Sequence, residues 1–219
     1  MEVDKSKSEP GLSSGVQELL NSYWEWRLKD MPEFASFVGI HEYDHLLDVM
    51  SMEAFLTRYY KCQNFLTLAE KLEPHLVNHI DVLNVKIFKD ELQTYIDGYQ
   101  FKGYYHPISY IEGIHVDLER LIGWMKRETH EDFSKIISRF ERVPKQVEQI
   151  IVLMKAGVAE GNISHQISLK SVVETIRKFN VEDPCKSPLY KFFKSLPNLI
   201  PGHQASDLQI KAQQAISQL

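Results

Sequence analysis

Residues 51–73, SMEAFLTRYYKCQNFLTLAEKLE, carry the clearest helical pattern in the chain. Ser51 is a favourable N-cap residue, and the Glu73-Pro74 pair ends the pattern because proline restricts the residue before it. Between these limits, apolar side chains recur at intervals of three and four residues, which places them on one face of a helix. They are Phe55, Tyr59, Cys62, Leu66 and Ala69. This stretch predicts an amphipathic helix of about twenty residues.

A second helix of similar length follows after a short connection. It begins near Asn78, and its apolar face consists of Ile80, Leu83, Ile87, Leu92, Tyr95 and Tyr99. Two amphipathic helices of similar length joined by a short connection commonly pack side by side in opposite directions. We therefore expect an antiparallel hairpin of two long helices.

Most of the remaining sequence also has a helical period, so the predicted fold class is all-α. A first helix is expected from Ser13 or Ser14 to the Met31-Pro32 pair, and Pro32 begins a short helix through Val38. The main interruption is a segment rich in glycine and aromatic residues, at about 98–115, which is expected to be irregular with short extended pieces.

The helical pattern resumes after this segment. Thr129 to Asp132 resembles a capping box with Asp in the last position, and Pro144 is expected either to kink the following helix or to begin a new one. Ser168 is predicted to cap a later helix, and the last helix is expected at 207–219.

Composition excludes several classes of function. The 219-residue chain has a net charge of -5 and no basic patch with interleaved aromatic residues, so a nucleic-acid partner is not expected. It contains no apolar run of the roughly 20 residues that span a bilayer. Residues 1–14 are polar, lack the apolar stretch of a secretory signal, and are predicted to form a disordered tail. With two cysteines far apart, these features predict a cytoplasmic protein.

One short motif suggests zinc chemistry. His41-Glu42-Tyr43-Asp44-His45 has the form H-E-x-x-H, in which two histidines on one helix face bind zinc and the glutamate acts as the base. Gly39 disfavours a helix here, and a carboxylate at Asp44 would compete for the metal. A polar loop is the simpler interpretation, and no metal site is predicted.

A second segment is a candidate for substrate binding. Residues 111–118, IEGIHVDL, lead from the irregular segment into a helix and include Gly113, His115 and Asp117. Loops of this kind often carry binding residues. The alternative is a helix entry whose polar residues face solvent, and the sequence leaves both interpretations open.

At these residues the chain resembles the N-terminal part of the mostly bacterial domain-of-unknown-function 885 family. The resemblance covers roughly residues 15–219 and depends on several marks in the same order. These are Tyr23-Trp24-Glu25-Trp26, Pro32-Glu33-Phe34-Ala35, Gly39, His41, Tyr43, Asp44, Leu47, Gly113, His115, Asp117, Leu118, Arg139, Pro144, Met154, Gly157, Gly161 and Ile200-Pro201. The chain departs from the family pattern at Ser164-His165, where the family tends to have prolines.

The resemblance implies the N-terminal half of a larger, metallopeptidase-like hydrolase. The resemblance also implies that the family's zinc motif, a His-Glu followed by Pro-Gly-His, lies in a C-terminal half, so this chain is expected to be a truncated form without it. Residues 15–219 would then form one non-catalytic wall of a cleft for a peptide-like substrate, with zinc expected only in the full-length protein. On this reading the cleft-lining candidates are Tyr43, Asp44, Gly113, His115 and Asp117. Glu42 and His45 match no feature of the family.

Two alternatives follow from the same sequence. The first is an autonomous zinc peptidase that uses His41 and His45 as ligands with Glu42 as the base. The second is a helical interaction module without enzymatic activity. The expected partners are the missing C-terminal half or a second copy, bound through exposed apolar surface.

Overall fold

The fold class is all-α, as predicted. A computed structural model describes residues 11–198 and 200–219, and no β-strand occurs among them. Most of the predicted disordered tail lies outside these residues. The α-helices are α1 (Ser14–Asp30), α2 (Pro32–Phe37), α3 (Met52–Leu72), α4 (His79–Tyr99), α5 (Ile114–Trp124), α6 (His130–Ala159), α7 (Val172–Arg177) and α8 (Gly202–Ile216). In the described part of the chain, no helix has both the length and the apolar character needed to cross a membrane.

The chain folds as two compact units. Among the described residues, unit 1 contains residues 11–27 together with Phe55–Lys102, and unit 2 contains Leu28–Ala54 together with the chain from Gly103 onward. Each unit has its own apolar core.

Unit 1 contains the predicted helical hairpin. The Tyr59 ring, early in α3, stacks on the Tyr99 ring at the end of α4, with 4.6 Å between centroids. Phe65, further along α3, meets Phe88, which lies earlier in α4. The order of these pairs shows that the two helices run antiparallel. The buried core of unit 1 consists of Val16, Leu19, Cys62, Ala69, Val85, Phe88 and Leu92.

Unit 2 is built around the 30-residue helix α6. Its N-terminus has the predicted capping box: the Thr129 hydroxyl accepts the Asp132 backbone N–H, and the Asp132 carboxylate accepts the Thr129 N–H. Helix α6 packs mainly against α8. The fully buried side chains around it include Phe133, Ile136, Phe140, Leu153, Leu189, Phe193 and Leu208.

The segment at about 98–115 is largely irregular, as predicted. Helix α4 ends at Tyr99, a short 3₁₀ helix covers Gly103–Tyr105, and α5 begins at Ile114. No β-strand is found among residues 100–113, all of which the structure describes.

Of the two alternatives for Pro144, the structure excludes a new helix, because the proline lies inside a continuous α6. Two boundaries differ from the sequence predictions. Ser168 belongs to the 3₁₀ helix Gln166–Leu169, and Ser171 precedes α7. Helix α8 begins at Gly202, five residues before the predicted start.

Candidate functional site

A largely apolar cavity of about 450 Å³ lies within unit 2. Its walls come from α5, α6, α7 and the segments that flank them. The residues that line it are Ile108, Ile114, His115, Leu118, Val143, Val147, Ile150, Ile151, Met154, Leu169, Val172, Val173, Ile176, Phe179, Leu189 and Leu219. All of them are apolar except His115. The cavity volume is within the range of about 300–1,000 Å³ that is typical of small-molecule sites.

Burial divides the lining into a floor and a rim. The floor is defined here as the buried lining residues, namely His115, Leu118, Val143, Ile150, Val172 and Leu189. The rim is defined as the exposed ones, namely Ile151, Val173, Ile176 and Leu219. The one polar side chain therefore lies at the floor, and the rim is apolar.

The backbone before α5 fixes the position of His115. Gly113 precedes the helix with φ +117°, a conformation that side-chain-bearing residues rarely adopt. A Cβ atom there would lie 2.9 Å from the Pro107 carbonyl oxygen and 3.3 Å from His115 Cε1. Because glycine leaves this space free, the backbone passes close to the imidazole and holds the ring against the cavity.

Asp117 stabilises the same turn. Its carboxylate accepts the Gly113 backbone N–H at 2.8 Å and forms an ion pair with Arg120, also at 2.8 Å. A carboxylate in the first turn also interacts favourably with the positive end of the helix dipole. Asp117 is not among the residues that line the cavity, so its role there is to hold the entry to α5.

The imidazole of His115 is buried and makes no well-formed hydrogen bond with the described residues. The residue is 6% exposed, and neither ring nitrogen has a hydrogen-bond partner among the described residues. Burial lowers the pKa of His115 below 6.5, while two weaker influences raise it: the charge of Asp117 and a contact between the ring and the Ser109 backbone that falls short of hydrogen-bond geometry. The ring is therefore neutral near pH 7, with one nitrogen as a donor and the other as an acceptor.

Tyr43 and Asp44 belong to a different part of unit 2. The Asp44 carboxylate is buried; it accepts the Ser36 hydroxyl and lies 2.9 Å from His41 Nδ1. Arg139 Nη2 lies 3.9 Å from the same carboxylate. Neither Tyr43 nor Asp44 lines the cavity. Of the five candidate residues, the structure brings together only Gly113, His115 and Asp117.

The H-E-x-x-H segment is not a helix. Residues 42–45 form turns, as the loop interpretation predicted. His41 pairs with Asp44, and the backbone carbonyl of His45 accepts hydrogen bonds from Ser138 and Arg142. Within the described ranges, no three His, Cys, Asp or Glu side chains are grouped so that they could hold a metal ion.

Residues 32–219 match the family model described as "Bacterial protein of unknown function (DUF885)". The chain belongs to this family. The matched region contains every residue of the cavity lining in this DUF885 chain. None of the curated proteins compared with the chain matches it.

Sequence reasoning identified one cavity residue, His115, and missed the fifteen apolar ones. The aliphatic residues of α6 and α7 have a helical period that is typical of ordinary core. Only the packing of the helices shows that part of this apolar face borders open space. The only available signal was the number of aliphatic residues in α5, α6 and α7. Such residues are equally typical of a filled core, so they do not predict a cavity.

Proposed function

We propose that unit 2 binds a mainly apolar ligand in this cavity, and that the chain contributes substrate binding rather than catalysis to a hydrolase-like protein. The observation that carries the proposal is the combination of an apolar lining with one buried, unpaired imidazole. Native interiors rarely leave both a void of this size and an unsatisfied polar group. A bound ligand would fill the void and pair with the histidine.

The composition of the lining favours binding over chemistry. General acid–base and nucleophilic catalysis require a reacting group and a partner that activates or orients it. His115 has no carboxylate, thiol or hydroxyl side chain beside it in the lining. A lone imidazole in an apolar cavity can orient a ligand through one hydrogen bond.

The family resemblance adds an expected context to this proposal. If the parent protein is a metallopeptidase-like hydrolase, the cavity would form part of one wall of its cleft and would hold an apolar side chain of a peptide-like substrate. The described residues of this chain do not fit a zinc site, since the H-E-x-x-H segment lacks the helix that would align its histidines. No catalytic step is assigned to them.

Metal analysis tests the rival zinc-peptidase reading. We expect negligible zinc in the purified chain and in a His45→Ala variant, because His41 is already paired with Asp44. A stoichiometric amount of zinc in the parent that is lost in His45→Ala would restore the zinc-peptidase reading and overturn the non-catalytic role.

The alternative of an interaction module has one observation in its favour. Phe37 and Trp124 are both exposed in unit 2, and their rings meet edge to face with 4.9 Å between centroids. Exposed aromatic pairs are typical of interface anchors. Under this alternative, a Phe37→Ser variant would weaken self-association or binding to a separately expressed C-terminal half, measured by light scattering on a sizing column.

The ligand-binding proposal is tested with two matched variants on α6. Ile151 lines the cavity rim and is 43% exposed, whereas its neighbour Val152 is 58% exposed and does not line the cavity. Ile151→Glu places a charge at the entrance, and Val152→Glu adds the same charge outside it. We expect calorimetric titration with n-butylbenzene to show binding to the parent and to Val152→Glu, and strongly weakened binding to Ile151→Glu. Equal binding to both variants, or no binding to the parent, would contradict the proposal.

A further inference from the structure

We propose that the cavity selects a ligand that places one uncharged hydrogen-bonding group, a hydroxyl or a carbonyl, at the floor beside His115. The apolar part of the ligand would extend toward the rim. This inference rests on the proposed function and specifies the chemical class of the ligand.

The depth of His115 determines which end of the ligand enters first. Amphiphilic ligands usually keep the polar end at the entrance, where water can solvate it. Here the rim residues Ile151, Val173 and Ile176 are apolar, and the one polar group of the lining is buried at the floor. The arrangement is therefore complementary to a ligand whose polar group is carried inward.

The lack of charged side chains in the described lining excludes ionised groups from the floor. In the part of the chain that the structure describes, no Lys, Arg, Asp or Glu lines the cavity, so a carboxylate or an ammonium group there would lose its hydration without a counter-charge. Burial keeps the imidazole neutral near pH 7. A neutral imidazole presents one donor and one acceptor, and either can pair with a hydroxyl, while the donor can pair with a carbonyl.

Two kinds of ligand share this chemistry. One is a small molecule with a hydrocarbon body and one hydroxyl or carbonyl group. The other is a peptide-like substrate, whose apolar side chain lies next to an uncharged backbone amide. The proposal covers the hydrogen-bonding group that both kinds of ligand carry, and the probes below distinguish a small molecule from a peptide-like ligand.

The experiment compares probes built on one skeleton. n-Butylbenzene is the hydrocarbon, 4-phenyl-1-butanol adds a hydroxyl, and 4-phenylbutyrate carries a carboxylate at pH 7.5. N-acetyl-phenylalaninamide represents the peptide-like source. Dissociation constants are measured by calorimetry for the parent chain, for His115→Phe and for His115→Gln, with the exposed His203→Phe as a control.

We expect the substitution of His115 to change the dissociation constant of the alcohol relative to that of the hydrocarbon. His115→Phe should weaken 4-phenyl-1-butanol relative to n-butylbenzene by about three- to tenfold, the equivalent of one neutral hydrogen bond. His115→Gln should retain most of the preference, because its amide also donates and accepts. His203→Phe should leave all the dissociation constants unchanged.

The peptide-like probe decides between the two kinds of ligand. Affinity for N-acetyl-phenylalaninamide that depends on His115 in the same way would assign the site to a peptide-like ligand. The absence of such affinity would assign the site to a small molecule.

Four results would overturn the inference. The first is an alcohol preference that does not change in His115→Phe. The second is binding of 4-phenylbutyrate that is as tight as that of the alcohol and depends on His115, which would show a charged group at the floor. The third is failure of every probe to bind, which would remove the proposed function as well. Binding of n-butylbenzene without discrimination would remove only the inference.

Discussion

Arg139 in α6 donates a hydrogen bond from Nε to the Leu46 carbonyl oxygen at 2.7 Å, across 93 residues of sequence. Arg139 is fully buried, and its Nη2 also donates to the Pro32 carbonyl and to the Ser36 hydroxyl. One side chain therefore satisfies several backbone and side-chain acceptors of the segment that contains α2. This contact holds that segment against α6 within unit 2.

Substitution of Arg139 is expected to destabilise the protein severely. Arg139→Ala leaves the Asp44 carboxylate buried without its cation and several carbonyl groups without a donor, so we expect a loss of about 3–5 kcal/mol in the free energy of unfolding. Arg142 lies one turn away on α6, is exposed, and donates to the His45 carbonyl. Arg142→Ala should cost below about 1 kcal/mol. Urea denaturation compares the two, and similar losses would show that Arg139 does not anchor the segment.

Gly113 is expected to be essential to the geometry of His115. Gly113→Ala forces a side chain into a left-handed conformation and against the Pro107 carbonyl, so we expect a loss of about 1–3 kcal/mol. Gly123, also in α5, has open space where its Cβ would be. Gly123→Ala should therefore be neutral or stabilising by up to about 1 kcal/mol. Equal stability of the two variants in thermal denaturation would show that the backbone conformation at Gly113 does not require glycine.

His115→Phe is expected to stabilise the ligand-free protein. The buried imidazole has two ring nitrogens without partners, and an apolar ring of similar size removes that cost. We expect a gain of about 1 kcal/mol in the free energy of unfolding, with His203→Phe as the exposed control. A destabilised His115→Phe would mean that the imidazole is satisfied in the folded protein, which contradicts the assigned geometry.

The stability of the parent should fall at acidic pH partly because of His115. Burial lowers its pKa in the folded state below the value of 6.5 expected in the unfolded state, so the unfolded chain binds the proton more readily. The contribution of the neutral ring is fully present above pH 6.5 and declines as the pH falls from there through the lower folded-state pKa. Denaturation curves at pH 8 and pH 5 should show a smaller loss for His115→Phe than for the parent. An identical loss would show that His115 has the same pKa in both states.

The sequence predicted the helices better than it predicted the site. The apolar stripe from Phe55 to Ala69 lies between a favourable N-cap residue and a proline, and Thr129 begins a capping box. These local signals placed α3 and the beginning of α6 correctly. The starts of α7 and α8 were not, because Ser168 is only one of several possible caps, the last helix has no clear start signal, and tertiary packing decides where each helix begins. Asp44 illustrates the same limit: its buried carboxylate lies 3.9 Å from Arg139, which is 95 residues away in sequence, and spacing alone does not predict that pair.

Methyl NMR of the isoleucine-labelled chain during titration with 4-phenyl-1-butanol tests the central claim most directly. Ile108, Ile114 and Ile150 line the cavity, whereas Ile163 and Ile210 are exposed and lie outside it. The account predicts saturable shifts at the three lining residues, unchanged signals at the two others, and loss of the shifts in Ile151→Glu. Shifts confined to residues outside the cavity, or no shifts at all, would contradict it.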